Sequence, residues 1–461
     1  MSTPTEKPTV IIVGAGLGGL MLGALLEKSG VPYTIFERAT TVKPLGSAMS
    51  IGPTLLPIFQ QIGVYDDILS IGKYLTHTET FKENLEPYKP QDYRAIEEYT
   101  GYGHYIVARP KYYDVILKQV PAHKIHFGKR VIDITEKDNK VTVHLSSNET
   151  FEGDIVVGAD GAYSFVRQNI YEKLLAKGNL PKSDQEDLPF NCICLVGQTK
   201  PLDDKEFPCI KNPVSQFRIV LADDKPYSWV TLTTNQNTLC FMVMNHLPRT
   251  STKAEIDKNQ DTENSGWGPE AAQAMIDETR NFQIELSDGK KHTLGELYDL
   301  TPKELISKVS IEEKVFTTWH SGRVVLMGDG AVTAMHDAIA LANLIYAMPT
   351  KTQEDITTIF EEYHKERLPA VMESFENSQI MSKLTDRGIA GTLYRLLITR
   401  MPLWLWRLAL TKTVHFRPQV GFLKAIPLQG NVVPFVSPSE QKARAAYERQ
   451  QEAAAANAAS I

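Results

Sequence analysis

Val10-Ile11-Ile12-Val13-Gly14-Ala15-Gly16-Leu17-Gly18-Gly19 is the stretch that decides the fold. Its four β-branched residues read as a short buried parallel strand, and Leu20 to Ser29 behind it reads as a helix. Each glycine of the turn has a mechanical role. Gly14 permits the tight bend, Gly16 lets backbone approach a pyrophosphate, and Gly19 lets helix and strand pack closely. Phosphate oxygens would then meet the free N–H groups of a helix N-terminus, where the macrodipole favours negative charge. A second strand, Tyr33-Thr34-Ile35-Phe36, ends in Glu37, 23 residues after Gly14. A carboxylate at that point accepts hydrogen bonds from a ribose 2′-OH and repels a 2′-phosphate, so the unit is built for FAD or NAD rather than NADP.

Two later segments separate a flavoenzyme from a dehydrogenase. Phe151 to Gly161 is a strand running into the turn Gly158-Ala159-Asp160-Gly161, followed by Ser164 and Arg167. Gly322 to Asp329 is another strand, ending in Gly328-Asp329. In this order after the glycine-rich opening, the chain resembles the FAD-dependent monooxygenases related to para-hydroxybenzoate hydroxylase, particularly their fungal secondary-metabolism branch. The resemblance runs from about Thr9 to Phe422 and includes Trp319, Arg417-Pro418-Gln419 and Phe422-Leu423.

The resemblance implies an α/β chain: a Rossmann-like FAD-binding domain, an inserted mixed β-sheet substrate domain and C-terminal helices. The expected segments are 1–188 and 286–350 for the FAD-binding domain, 189–285 for the substrate sheet, 351–436 for the helical region and 437–461 for a polar tail. Trp229-Val230-Thr231-Leu232 and Leu239 to Val243 read as strands of that sheet, which would cover the flavin and wall the substrate pocket. By the same resemblance Glu37 holds the adenosine ribose, and Arg109 lies along the FAD. Asp160 and Arg167 serve the pyrophosphate region and the passage of the nicotinamide nucleotide. The segment Gly46 to Ser50 approaches the flavin, Asp329 holds the ribityl chain, and Ala331 belongs to the same site. NADPH or NADH would reduce the flavin, and O2 would supply the atom that hydroxylates or epoxidises a small, mostly apolar organic molecule. The residues single out no catalytic side chain and no metal ligands; His320 and His336 read as structural.

The chain departs from this family at one place. After Gly-Asp the family continues through a Pro-containing loop into a long helix, whose first N–H groups face the flavin. Here Asp329 runs directly into Gly330-Ala331-Val332-Thr333-Ala334, and Ala334 to Tyr346 has helical spacing. A donor of that kind is worth about 3 kcal/mol in a transition state, on the order of 100-fold in rate. Losing the loop is therefore expected to pull the helix toward Asp329 and to compromise the flavin site. Two origins stay open: a chain altered by a mistaken splice junction or deletion, and a functional variant that places other donors there. A catalytically degenerate flavin-binding member is the alternative function, and an NAD-dependent dehydrogenase, which Glu37 alone would permit, is the third.

The remaining features bound the setting. The net charge of −6 gives no electrostatic reason to bind nucleic acid. Of the four cysteines, Cys192 and Cys194 read as strand residues rather than a redox pair, which fits a reducing, cytoplasmic setting. Met1 to Pro8 has no apolar signal-peptide core. The apolar stretch 393–410 is broken by Arg395, Arg400, Pro402 and Arg407 and fails as a membrane span. Packing on the body of the protein is its first reading and peripheral membrane contact its second. The tail after Ser437 reads as a solvated helix or disorder.

Overall fold

The computed structural model describes residues 6–42, 47–186, 190–222, 224–247, 269–312, 314–384 and 389–459. Gly46 and the expected boundary at 188–189 lie outside the described residues.

The opening strand, β1 (Val10–Val13), has no polar side chain and sits inside a six-stranded sheet. On one side lies β2 (Tyr33–Glu37), then β8 (Ile125–Phe127); on the other lie β12 (Ile155–Gly158) and β19 (Val324–Leu326). These neighbours pair in parallel, Val10 standing opposite both Tyr33 and Ile155, while β18 (His320–Ser321) closes the edge antiparallel to β19. The period of two sends Val10 and Ile12 to one face and Ile11 and Val13 to the other, and both faces are covered.

On the first face packs α1 (Leu17–Ser29), which begins three residues earlier than the sequence reading. Leu17 to Leu26 contains no polar side chain, so the helix must be buried all round. Its outer side is covered by α5 (Ala331–Ala347), through Met335, Leu341 and neighbouring residues. The second face is covered by α4 (Phe165–Ala176) and by a three-stranded antiparallel sheet of β9 (Val131–Lys137), β10 (Lys140–Leu145) and β11 (Thr150–Gly153). Each large side chain so buried contributes about 1.5–3 kcal/mol.

A seven-stranded mixed sheet stands beside this body. Its order is β17 (Ser307–Glu312), β13 (Phe190–Gln198), β16 (Leu239–His246), β15 (Tyr227–Thr233), β14 (Phe217–Leu221), β5 (His77–Lys82) and β6 (Gln91–Asp92). The two expected stretches lie in β15 and β16. The sheet is not a simple insert at 189–285, however: β5 and β6 come from upstream and β17 from downstream. They cover the edges that β14 and β13 would otherwise leave unpaired, β14 and β5 pairing in parallel. One face buries Leu195, Trp229 and Phe241. The other turns Val230, Leu232 and Cys240 toward Leu75 and Ile106, beside a small sheet of β3 (Ala48–Ile51), β7 (Tyr105–Ala108) and β4 (Gly72–Tyr74). Cys192 and Cys194 are free, buried strand residues, their sulfurs 3.8 Å apart.

The chain ends in α6 (Gln353–Leu384), α7 (Ile389–Thr399), α8 (Leu403–Thr413) and α9 (Pro438–Ala459). The tail is the helix α9, exposed over residues 448–456 as a solvated helix would be; the reading is corrected for its first half, which is docked, with Ser439 and Ala443 buried. The body-packing reading of 393–410 holds for one side only. Leu410 and Trp406 pack against α2 (Ala95–Thr100), whereas Leu393, Leu397, Leu403, Trp404 and Leu408 are exposed. Among the described residues no helix is long and apolar enough to cross a membrane.

Candidate functional site

The carboxyl ends of β1, β2, β12 and β19 converge on a cavity of about 390 Å³, where a doubly wound sheet places its ligand. Gly14 turns the chain out of β1 at φ +108°, and a Cβ there would lie 2.3 Å from the Ala159 carbonyl oxygen. A Cβ on Gly19 would lie 2.1 Å from the Gly14 carbonyl oxygen, so this glycine sets the contact of helix and strand. Gly16 differs: a Cβ there would meet nothing within 4 Å, because the residue faces the cavity. It begins α1 with no side-chain cap, leaving the first N–H groups of the helix directed at that space.

Glu37 closes β2 at the same cavity. Its carboxylate accepts from the backbone N–H of Ala15 and of Ala39, both at 2.8 Å, which fixes its orientation beside the turn. Arg109, the first residue of α3 (Arg109–Leu117), lines the cavity with Arg38 and Arg130, and burial holds its guanidinium below the usual arginine range. Arg38 and Arg130 are missing from the sequence reading. The first adjoins Glu37 and was findable by position, but Arg130 follows β8 in a turn with no motif. From here the space continues as a groove of about 970 Å³ past Tyr113, Gln198, Gln236 and Leu305, between the six-stranded and seven-stranded sheets.

Asp160 lines the cavity, yet its carboxylate is already engaged, accepting from Ser164 Oγ at 2.5 Å and from the Val166 N–H at 3.2 Å. Burial pushes its pKa up against these hydrogen bonds. Ser164 in turn caps α4 by accepting from the Arg167 N–H. The Arg167 guanidinium stacks on Phe316 at 4.4 Å, in a second cavity of about 310 Å³.

Asp329 stands between the two cavities and lines both. The helix after it begins at Ala331, three residues earlier than the sequence spacing indicates, with Gly330 as an uncapped N-cap. Asp337, two turns into α5, reaches back: one carboxylate oxygen accepts from the Gly328 N–H at 2.9 Å and the other from Arg367 Nε at 2.7 Å. Asp337 and Arg367 are 1% and 2% exposed, so a buried ion pair from α6 pins the short joint. Ala331 lines the first cavity opposite Gly16 and Leu17. Two helix N-termini, neither with a side-chain cap, therefore face one space that also holds three arginines.

Ser50 stands apart, on β3 and hydrogen-bonded to His104. Burial holds the His104 ring at a pKa of about 4. His336 is buried against Phe416 and bonded to the Thr54 carbonyl, and burial, with Arg367 adding to it, lowers its pKa to about 3. His320 packs on Phe360. Neither lines any of the three cavities.

Residues 7–191 match the family model described as FAD binding domain. The chain is 25% identical over 404 residues to the FAD-dependent monooxygenase esdpE of Penicillium shearii, covering 82% of this chain and 78% of that protein. It is 26% identical over 413 residues to the FAD-dependent monooxygenase nodM of Hypoxylon pulicicidum, covering 85% and 84%. Residues 7–191 thus carry an FAD binding domain, and over most of its length the chain is similar to FAD-dependent monooxygenases of fungi. Solved structures share this fold: an HpxO variant from Klebsiella pneumoniae complexed with FAD, at TM-score 0.66, 16% identity and 88% and 98% coverage, and CtdE with FAD and substrate, at TM-score 0.64, 14% identity and the same coverage. FAD is the cofactor, and the residues present fit it. The open side of Gly16, the bare helix ends and the arginines suit a pyrophosphate, and Glu37 suits a ribose.

Proposed function

We propose that this chain is a monooxygenase that uses NADPH or NADH and O2 to hydroxylate or epoxidise a small, mostly apolar organic molecule of secondary metabolism. The observation that carries the reading is the cavity between Gly16 and Ala331, where two uncapped helix N-termini and Arg38, Arg109 and Arg130 face one space. When bound, FAD would supply the redox chemistry, with the nicotinamide as hydride donor and O2 as the source of one oxygen atom for the substrate and one for water. The chain's own residues bind and orient. The N–H groups of Gly16 and Leu17 take the pyrophosphate, with Ala331 meeting it from α5, Glu37 accepts from the adenosine ribose, and Asp329 accepts from the ribityl hydroxyls.

The direct Asp329–Ala331 joint brings the α5 donors to the pyrophosphate end and leaves no intervening loop to hold the ring end. Ring-end binding is thus the weak point of the site. A second reading, a flavin-binding member without turnover, draws its support from that joint. The visible spectrum after reconstitution with FAD, followed by NADPH and NADH oxidation with candidate apolar substrates, tests both. Retained flavin bands with substrate-stimulated oxidation support the monooxygenase. Retained bands without oxidation under any substrate favour the binding member, and a folded protein that never holds flavin sinks both. The location read for the protein is cytoplasmic, with peripheral membrane contact through 393–410, supported by the apolar side chains exposed on α7 and α8.

A further inference from the structure

From residue 387 to residue 439 the sequence contains no Asp or Glu and seven Lys and Arg, in a chain of net charge −6. Of these cations, Arg395 and Arg417 are buried, Arg407 pairs with Glu98 of α2, and Arg400, Lys412 and Lys424 are exposed. The same stretch exposes large apolar side chains. On α7, Leu393 and Leu397 stand one turn apart; on α8, Trp404 and Leu408 do the same, Trp404 at 68% exposure. A loop from 428 to 436 adds Val433 and Phe435, and is tied beside the end of α8 by the Phe435 N–H donating to the His415 carbonyl.

Core packing does not account for these residues. The other side of α8 already satisfies the fold, with Leu410 buried and Trp406 donating from Nε1 to the Asp92 carbonyl at 2.7 Å. An exposed apolar surface of this extent marks an interaction site. A symmetric contact between two copies would bring two basic stretches that lack any Asp or Glu together, which like charges oppose. Interfacial helices combine such features: an apolar face with a tryptophan, flanking basic residues, and no length sufficient to cross.

We propose that α7, α8 and the 428–436 loop form a docking surface for an anionic phospholipid bilayer. This extends the peripheral contact proposed above by naming the lipid charge and a second inserting element. The apolar side chains enter the headgroup–acyl boundary, while Arg400, Lys412 and Lys424 meet lipid phosphates and carboxylates. The surface is linked to the interior: Tyr93 contacts Trp406 at 5.7 Å and His104 at 5.8 Å, and His104 bonds Ser50 on β3. Docking therefore holds this wall of the fold against the bilayer.

The test floats the full-length protein with phosphatidylcholine vesicles and with vesicles that also contain phosphatidylserine, at low and high salt. Flotation is expected with phosphatidylserine, at least tenfold weaker without it, and reversed by salt. Trp404→Ser with Leu408→Ser should abolish it at unchanged melting temperature. Arg400→Glu with Lys412→Glu should weaken it by about 25-fold or more, at about fivefold per cation lost. A wild type that stays dense with every vesicle overturns the membrane contact itself. Equal flotation on neutral and anionic vesicles overturns the charge assignment, and variants that float like wild type overturn the surface. A dimer that Trp404→Ser converts to monomer overturns it in favour of contact between copies.

Discussion

Alanine at Gly16 and alanine at Gly19 add the same methyl group three residues apart, and the structure gives them opposite consequences. At Gly16 no protein atom lies within 4 Å of the new Cβ, and φ is −71°, which alanine adopts freely. The apoprotein should keep its stability to within about 1 kcal/mol, the weaker N-cap offset by a less flexible unfolded chain. At Gly19 the methyl would lie 2.1 Å from the Gly14 carbonyl oxygen, a backbone atom in a packed turn, and overpacking there should cost about 1–3 kcal/mol or more. Ligand binding inverts the order. The Gly16 methyl fills the space by which a phosphate reaches the head of α1. Losing one charge-assisted hydrogen bond costs about 1.5–3 kcal/mol, roughly 10- to 150-fold in the FAD dissociation constant. Apoprotein melting curves and titration of flavin fluorescence separate the two effects. If Gly16→Ala binds FAD as wild type does, or melts as early as Gly19→Ala, the assignment of the cavity to the pyrophosphate is wrong.

Asp337→Asn leaves Arg367 as an uncompensated charge at 2% exposure and weakens the hold on the Gly328 N–H, so stability should fall by about 3–5 kcal/mol. A urea midpoint that moves by less than the equivalent of about 1 kcal/mol would refute the pin. His336 bears on acid stability. Burial keeps its ring neutral in the folded state down to about pH 3, whereas the unfolded chain takes up that proton from about pH 6.5. Its depressed pKa therefore draws stability away as pH drops from about 6.5 toward 3. His336→Gln should flatten this acid limb in pH-dependent melting; superimposable curves would show that the ring is not the group responsible.

Much of this site could be read before any coordinates. The strand–turn–helix opening is a local pattern: four β-branched residues, glycines at fixed offsets and an acid at the next strand's end each act within about 30 residues. The Gly328-Asp329 strand was legible for the same reason, and so was the direct entry into α5. What escaped depends on distance in sequence. Arg367 meets Asp337 from a different helix, Arg130 enters the cavity from an unremarkable turn, and β5 joins β14 across more than a hundred residues. The spacing also set the start of α5 too late, because Ala331 to Thr333 carry no apolar period and are helical through the joint itself. The tail misled for a related reason. Its composition is polar, and the few positions that dock, Ser439 and Ala443, are small.

That docked tail has a consequence for the far end of α5. Ser439 donates to Glu366 through both its N–H and its hydroxyl at 2.8 Å, Lys442 pairs with Glu362, and Gln450 accepts from the Tyr346 hydroxyl at 2.7 Å. Asn343 joins the same region, accepting from the Gly421 N–H at 2.8 Å. Through Ser439 and Lys442 the tail is tied to α6, and through Gln450 to the last turn of α5, the helix whose first turn lines the cavity, so a helix about a hundred residues downstream clamps its far end. Amide exchange in α5 should slow or quicken as one cooperative unit with α9, and the ligand cavity should register events at the C-terminal helix that never approach it.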